Sequence, residues 1–337
     1  MQNLKTFLPL TPDPSPAQAG RGAKGANIFL PSLNSGRGGG WGLLVVFLLF
    51  AVTGIRVSAQ DDITAMEERL LATPILYNLD SPRLAEIFAA GQVLGNRADV
   101  FTTIGDSNTT NGDFLQSIGL ENGDLCQWGE YEDLRASVDF FSVSPDAVSA
   151  NSFTHAGSSI AAFRGFTSAA VLDPFWATNP VCAGGESPLA CEYRVSQPSV
   201  AVLMLGGRDV LAFTADDYRA SVTQIVQESI ASGVIPVLTT FVVLAERTDV
   251  YPLSLAMNMA LLDIAEAEQI PLINLWSAAY SLPDHGIGPD RSHLKARVGD
   301  YCNFAGAELE LGGTLRTLLT LQVLDALRLT VLDAALD

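Results

Sequence analysis

Residues 200–241 read VAVLMLGGRDVLAFTADDYRASVTQIVQESIASGVIPVLTTF, and this stretch decides the fold. It opens with an apolar run of strand length, Val200 to Leu205, and closes with a second one, Val234 to Phe241. Between them, Asp217 to Ser232 carries apolar residues at the spacing of a helix, namely Tyr218, Val222, Ile225, Val226 and Ile230. A strand, a helix and a second strand in short succession predict one unit of a parallel α/β sheet.

The same alternation extends in both directions along the chain. Val100 to Ile104 is an apolar strand upstream, while Ser254 to Gln269 repeats the helical pattern and leads into a strand over Ile270 to Leu275. A last helix begins near Gly313. Because Val100 to Ile104 and Val200 to Leu205 are β-branched or apolar throughout, they suit a sheet that is buried on both faces. The predicted fold class is α/β, an open and mostly parallel sheet covered by helices.

The segment from Asp124 to Arg194 differs from this pattern, because it is rich in loop-forming residues and holds three of the four cysteines. Within it, one strand is predicted over Ser137 to Val143. Long loops of α/β proteins are the usual place of ligand recognition. The alternative is that this segment is disordered and has no role in recognition.

The N-terminal part of the chain has the features of an export signal. Trp41 to Ile55 (WGLLVVFLLFAVTGI) is apolar and leads into Val57-Ser58-Ala59, so cleavage is expected after Ala59. The uninterrupted apolar core is about half of the roughly 20 residues that a spanning helix needs, which leaves an uncleaved membrane anchor as the alternative. Residues 1–59 are thus a signal peptide with a low-complexity extension, residues 60–94 a lead-in, and residues 95–337 the main domain.

Composition limits the partners of the protein. The chain has 337 residues, 37 of them acidic and 19 basic, with a formal net charge of -18. Removal of residues 1–59 would take away five basic residues and one acidic residue, which leaves a charge near -22. Such a charge argues against nucleic acid or an anionic membrane surface as the main partner. Within residues 60–337 neither G-x-G-x-x-G nor the phosphate-loop pattern occurs, which argues against nucleotide binding.

The four cysteines, Cys126, Cys182, Cys191 and Cys302, are candidates for two disulfides in an exported protein. Sequence alone permits three pairings. We favour Cys182 with Cys191, which closes a short loop containing Gly and Pro, and this leaves Cys126 for Cys302. Metal binding is disfavoured, because no two cysteines stand at C-x2-4-C spacing and no histidine lies beside them.

Two short motifs carry residues suited to nucleophilic catalysis. Gly105-Asp106-Ser107-Asn108 follows a predicted strand and leads towards a helix, a place where a serine hydroxyl stands at the rim of the sheet. Near the C-terminus, Asp290 precedes His293 by three residues, so the carboxylate can orient the imidazole to take a proton from a serine. His285 is a rival base, for which a role in loop structure is preferred.

Together these motifs resemble the SGNH/GDSL hydrolase family, which implies a flavodoxin-like, three-layer α/β/α sandwich and a secreted serine esterase or lipase. Gly105 to Ser107 matches the family's first block, and Asp290 to His293 matches its last. The second block supplies an oxyanion-hole glycine, for which Gly157 is the best match, and the third block, Gly-x-Asn-Asp, is matched by Gly206 to Asp209. The resemblance covers residues 95–330.

The resemblance implies that Ser107 is the nucleophile, His293 the base and Asp290 its orienting acid, with Ser107 and Gly157 as oxyanion donors. It implies no metal and no cofactor, and a small-molecule or carbohydrate ester as the substrate. The sequence departs from the family at Arg208, which stands where the family has an oxyanion-binding asparagine. Asp106, Asp209 and Asp290 are candidate ion-pair partners for Arg208.

The departure at Arg208 keeps a second function open, namely an extracellular binding protein that retains the fold but has weakened or lost the chemistry. In that hypothesis, Trp128, Trp176 and Tyr193 in the loop-rich segment grip a carbohydrate, although such aromatic residues more often belong to local core. The sequence leaves the oligomeric state, the acyl group and the alcohol of the substrate open.

Overall fold

The computed structural model describes residues 60–112, 114–297 and 302–333, without the side chains of Glu121 and Asn122. The predicted signal peptide lies outside the described residues. Within the described part of the chain, no helix has the length and apolar character needed to cross a bilayer.

The centre of the fold is a five-stranded sheet in the order β1-β5-β4-β3-β2. Its strands are β1 (Leu76–Tyr77), β2 (Arg97–Gly105), β3 (Pro198–Met204), β4 (Ile235–Thr239) and β5 (Leu272–Ile273). Strands β2 to β5 run parallel to their neighbours, and only the short edge strand β1 pairs antiparallel with β5. The α/β class and the mostly parallel sheet are therefore confirmed.

Eleven α-helices occur in the described part of the chain. They are α1 (60–72), α2 (Arg83–Leu94), α3 (Gln116–Gly119), α4 (Arg135–Phe140), α5 (Ser152–His155), α6 (Ser168–Leu172), α7 (Pro188–Ser196), α8 (Ala215–Ala231), α9 (Tyr251–Glu268), α10 (Leu275–Ala279) and α11 (Gly312–Leu327). A π-helical turn, Arg328–Leu332, extends α11. Every residue of β3 and β4 is buried, and because successive side chains of a strand point to opposite faces, both faces of the sheet are covered.

The helices begin and end at recognisable sequence signals. Thr214 caps α8 by accepting a hydrogen bond from the backbone N–H of Asp217, whose carboxylate accepts one from the backbone N–H of Thr214. Helix α9 ends where Gln269 adopts a left-handed conformation. Helices α8 and α9 pack on each other and on β4, while α2 contacts β2 and β4 and α11 contacts β5.

Most of the predicted elements occur within a few residues of their predicted bounds, but the strand predicted over Ser137 to Val143 is wrong. This stretch contains helix α4 and the bend that follows it. Val138 and Phe141 are buried three residues apart, which is the spacing of a helix face. The segment 60–94 contributes β1 to the same sheet, and Asn274 beside β5 donates a hydrogen bond to the carbonyl oxygen of Leu70.

The cysteines pair as favoured from the sequence, Cys182 with Cys191 and Cys126 with Cys302. The second disulfide joins positions 176 residues apart. Beside it, the ring of Trp128 packs against Phe304 at a centroid distance of 5.6 Å. This disulfide therefore fastens the loop-rich segment to the part of the chain that follows the Asp290–His293 motif.

Candidate active site

Ser107 lies in a tight turn at the carboxyl end of β2, the end at which parallel sheets usually place reactive groups. The Asp106 carboxylate accepts a hydrogen bond from the backbone N–H of Asn108 at 2.9 Å. The carbonyl oxygen of Asp106 accepts hydrogen bonds from the backbone N–H groups of Thr109 and Thr110. A turn, and not the expected helix, thus follows the strand, and these two N–H groups are already engaged.

This turn requires a glycine before it. A Cβ atom at Gly105 would lie 2.0 Å from Oγ1 of Thr109, far inside van der Waals contact. The backbone of Gly105 is also used, because its N–H donates to the carbonyl oxygen of Ala161 and its carbonyl oxygen accepts from Phe163 N–H. The residues 161–163 therefore run beside the end of β2, and the chain continues from there to Gly165.

The second half of the site is a loop in which Ile287 and Leu294 form an antiparallel bridge. Oδ1 of Asp290 accepts hydrogen bonds from the backbone N–H groups of Ser292 and His293. Its Oδ2 lies 2.6 Å from Nδ1 of His293. The backbone and side-chain hydrogen bonds from His293 lower the pKa of Asp290 to about 2, so this carboxylate is ionised at neutral pH.

The turn and the loop meet at their side chains. Nε2 of His293 lies 2.8 Å from Oγ of Ser107, which completes a hydrogen-bonded chain from the carboxylate through the imidazole to the hydroxyl. A second link runs beside it, because Oδ1 of Asn108 accepts a hydrogen bond from the backbone N–H of Leu294 at 2.9 Å. The structure thus brings together the three residues that the sequence analysis named as nucleophile, base and orienting acid.

A buried arginine forms hydrogen bonds with the turn that carries Ser107. Arg316 of α11 donates hydrogen bonds to the carbonyl oxygen of Asn108 and to Oγ1 of Thr109, and its guanidinium lies 3.6 Å from the ring centroid of Phe114. Burial lowers the pKa of Arg316 to about 9 and raises that of the neighbouring Asp106. Sequence reasoning missed this contribution, although a basic residue in an otherwise apolar helix was a signal for it.

Ser107 and His293 line a cavity of about 720 Å³. Not all of the other predicted site residues line it. Arg208 and Gly165 line this cavity, whereas Gly157 is absent from its lining and lies along a neighbouring depression with Thr110. The choice of Gly157 is therefore not supported by its position. Gly165 and Gly288 line the cavity of Ser107, and of these two Gly165 follows the segment that runs beside the end of β2.

The side chain of Arg208 is exposed and forms no hydrogen bond or ion pair with any described residue. The three carboxylates considered as its partners are engaged elsewhere. Asp290 binds His293, Asp106 accepts from Asn108, and Asp209 is buried and accepts hydrogen bonds from the backbone and the hydroxyl of Ser168. The guanidinium of Arg208 is thus available to a ligand in the cavity.

The other two histidines lie away from Ser107. The ring of His285 packs near Tyr280 at a centroid distance of 5.6 Å. His155 is buried between two carboxylates, with Nε2 2.8 Å from Glu192 and Nδ1 2.9 Å from Asp146. Neither ring therefore competes with His293 for the serine in the described structure.

The aromatic residues considered for carbohydrate binding do not form one platform. Trp128 is buried and donates its indole N–H to the carbonyl oxygen of Gly123. Tyr193 is also buried, with its hydroxyl 2.6 Å from Oγ of Ser229. Of the three, only Trp176 is exposed, so the first two belong to the core.

No family model and no curated protein matches this chain. Among solved structures, it is similar to a GDSL-like lipase from Bacteroides thetaiotaomicron, at 12% identity and a TM-score of 0.39, over 72% of this chain and 98% of the other. A psychrotrophic esterase from a Pseudoalteromonas species matches at 13% identity and a TM-score of 0.36, over 71% of this chain and 100% of the other.

Proposed function

We propose that this chain is a serine esterase of the SGNH/GDSL type that hydrolyses carboxylic esters of small molecules or carbohydrates. The observation that supports the proposal is the chain of short hydrogen bonds from Asp290 through His293 to Ser107, at the wall of an open cavity. A hydroxyl bonded to an imidazole whose other nitrogen faces an ionised carboxylate is the arrangement that activates a serine.

In the proposed reaction, His293 removes the proton from Ser107 as Oγ attacks the ester carbonyl. Asp290, ionised because of its low pKa, stabilises the imidazolium that results. His293 then gives the proton to the leaving alcohol, and an acyl group remains on Ser107. Water repeats the sequence, with His293 as base, and releases the carboxylic acid and the free serine.

The tetrahedral oxyanion needs donors that point into the cavity. We assign this role to the backbone N–H groups of Ser107 and Gly165, with Gly165 in place of the expected Gly157. The support for this change is that residues 161–163 run beside the end of β2 and that Gly165 lines the cavity with Ser107. Arg208 lines the same cavity and supplies charged N–H donors in place of the family's asparagine amide.

The test is reaction with a fluorophosphonate probe and hydrolysis of short-chain nitrophenyl esters. Ser107→Ala is expected to abolish both. Ser292→Ala is the matched control, because Ser292 lines the same cavity but its hydroxyl has no imidazole partner among the described residues. Labelling or hydrolysis that survives in Ser107→Ala would overturn the assignment.

The second candidate function, a binding protein without esterase activity, is favoured by one observation, the replacement of the family's asparagine by Arg208. Arg208→Asn separates the two functions. Turnover that rises in this variant indicates that the site lacked the amide, and turnover that falls indicates that the guanidinium takes part. A wild-type protein that neither labels nor hydrolyses would favour the binding function.

We also propose that the protein is exported, with residues 1–59 removed and the esterase domain spanning residues 95–337 after its lead-in. Two disulfides suit an oxidising compartment outside the cytoplasm. Intact-mass measurement of the exported protein is expected to give a chain that begins at Gln60. A mature N-terminus upstream of Trp41 would contradict processing at this site.

A further inference from the structure

The basic side chains of the protein fall into two groups. Between residues 60 and 337, every arginine except two hydrogen-bonds or ion-pairs with another described residue through its side chain. The exceptions are Arg164 and Arg208, and the single lysine of this region, Lys295, is likewise without a side-chain partner among the described residues.

All three of these cations line the cavity that holds Ser107 and His293. They come from different parts of the fold: Arg164 follows the segment beside β2, Arg208 follows β3, and Lys295 follows the histidine loop. Their convergence therefore reflects the tertiary structure and not one basic stretch of sequence. All three are exposed, so their charged groups reach the solvent of the cavity.

Among the described residues that line the cavity, Asp290 is the only acidic one, and its carboxylate is bound to His293. The cavity is therefore basic in a chain whose acidic residues outnumber the basic ones by 37 to 19. Carboxylates that could neutralise a surface cation are abundant in this protein, yet at this one place three cations have no side-chain partner among the residues that the structure describes. Like-signed charges around a concave surface attract anions from solution.

We propose that the cavity takes esters that themselves carry an anionic oxygen group, a carboxylate or a phosphate, and that Arg164 and Lys295 bind this group while the ester carbonyl lies at Ser107 beside Arg208. This inference rests on the proposed esterase function and names its substrate class. Arginine suits the task because its planar guanidinium binds a carboxylate or a phosphate through two parallel hydrogen bonds. The overall acidity of the protein, which argued against anionic partners, does not describe this cavity.

The first experiment compares two esters that differ in one charge, mono-4-nitrophenyl glutarate and its methyl ester, 4-nitrophenyl methyl glutarate. The expected kcat/KM is about tenfold higher for the anionic ester, as contacts between exposed charges allow. This preference should shrink with added salt, because exposed charges are screened. In Arg164→Gln/Lys295→Gln the ratio should approach one. Arg297→Gln is the matched control, since Arg297 is exposed but ion-paired with Glu308 and does not line the cavity.

The second experiment measures binding without turnover, in Ser107→Ala, by NMR titration. The probes are monomethyl glutarate for a carboxylate, methyl 3-phosphonopropionate for a phosphate-like group, and dimethyl glutarate as the neutral control. Binding of either anionic probe about tenfold tighter than that of the neutral probe supports the inference, and the tighter anion identifies the group. Equal binding of all three probes overturns it.

The two experiments separate failure of this inference from failure of the proposed function. Hydrolysis of both glutarates with equal kcat/KM, and equal binding, would overturn the anionic substrate and leave the esterase intact. Absence of hydrolysis together with preferential binding of the anionic probes would overturn the esterase and leave an anion-binding cavity.

Discussion

His293 and His155 occur in the same protein, and each binds a carboxylate, yet their surroundings differ in every other respect. The side chain of His293 is 41% exposed, with Asp290 on one nitrogen and the hydroxyl of Ser107 on the other. The side chain of His155 is 1% exposed, with a carboxylate on each nitrogen. One ring faces a cavity, and the other is enclosed by the core.

The difference shows what a second carboxylate does to an imidazole. Each nitrogen of His155 faces a carboxylate, and this arrangement favours the positive charge of the protonated ring. Burial opposes this charge, but the hydrogen bond and charge of Glu192, with those of Asp146, outweigh the burial and raise the pKa of His155. In contrast, Nε2 of His293 faces a hydroxyl and is free to accept its proton. The first histidine is suited to stability and the second to proton transfer.

Removal of the exposed ring of His293 is expected to have the largest effect. His293→Gln should lower kcat by roughly 10⁴- to 10⁶-fold, because Ser107 then has no base. Because the ring is only partly buried, the melting temperature should change little. Stopped-flow hydrolysis measures kcat, and calorimetry measures the melting temperature. A His293→Gln variant that keeps a tenth of the wild-type kcat would show that His293 is not the base.

Removal of the Asp290 carboxylate is expected to have the next largest effect. Asp290→Asn should reduce kcat by about 10⁴-fold, since the imidazole loses the charge that stabilises its protonated form and fixes its tautomer. The variant should still react slowly with the fluorophosphonate probe, because Ser107 and His293 remain. A reduction smaller than tenfold would show that the orienting role lies elsewhere.

The third effect concerns the buried ring. His155→Gln leaves Glu192 buried without its cation, and loss of one partner of a buried ion pair costs about 3–5 kcal/mol. Urea unfolding should report this loss, while folded protein keeps its kcat. His285→Gln, which changes a ring outside both networks, is the control and should alter the unfolding free energy by less than about 0.5 kcal/mol.

The smallest effect is a dependence of stability on pH. Since the folded pKa of His155 is raised, its contribution is complete below the unfolded value of 6.5 and is lost as pH rises through the folded value. The pKa of Glu192 is lowered, because the hydrogen bond and charge of His155 outweigh its burial, so its contribution is present above 4.5 and is lost as pH falls. This ion pair therefore stabilises the fold most between these two values.

Urea unfolding of the wild type at several pH values above 6.5 should show the free energy of unfolding decline. The double variant His155→Gln/Glu192→Gln, in which a neutral pair replaces the ions, should decline less steeply over the same range. Parallel curves for the two proteins would show that His155 does not carry the dependence.

The two halves of the candidate site differ in how well the sequence predicts them. Ser107 and the pair Asp290 and His293 stand in short motifs of neighbouring residues, and the family resemblance that these motifs carry implies their roles. No short motif distinguishes Gly165 from Gly157 as the candidate oxyanion donor. The choice depends on hydrogen bonds between Gly105 and residues 161–163, which are more than fifty positions apart.

The same reason explains the errors in the fold. The strands β2 to β5 contain runs of mostly apolar and β-branched residues, and this pattern is local. Helix α4 has too few residues for its period to stand out, and only packing against the core shows that Val138 and Phe141 share a face. Arg316 was overlooked as a support of the nucleophile turn because its hydrogen-bond partner Asn108 lies 208 residues away.

The hydrogen bond from Leu294 to Asn108 joins positions 186 residues apart, and it has a consequence for the time at which the protein becomes reactive. At synthesis rates of about 5–20 residues per second, the base leaves the ribosome roughly 10–40 seconds after the nucleophile. Until then, Ser107 is an ordinary alcohol. In the proposed mechanism, the nascent chain therefore has no activated serine until the loop that carries His293 packs against the turn of Ser107.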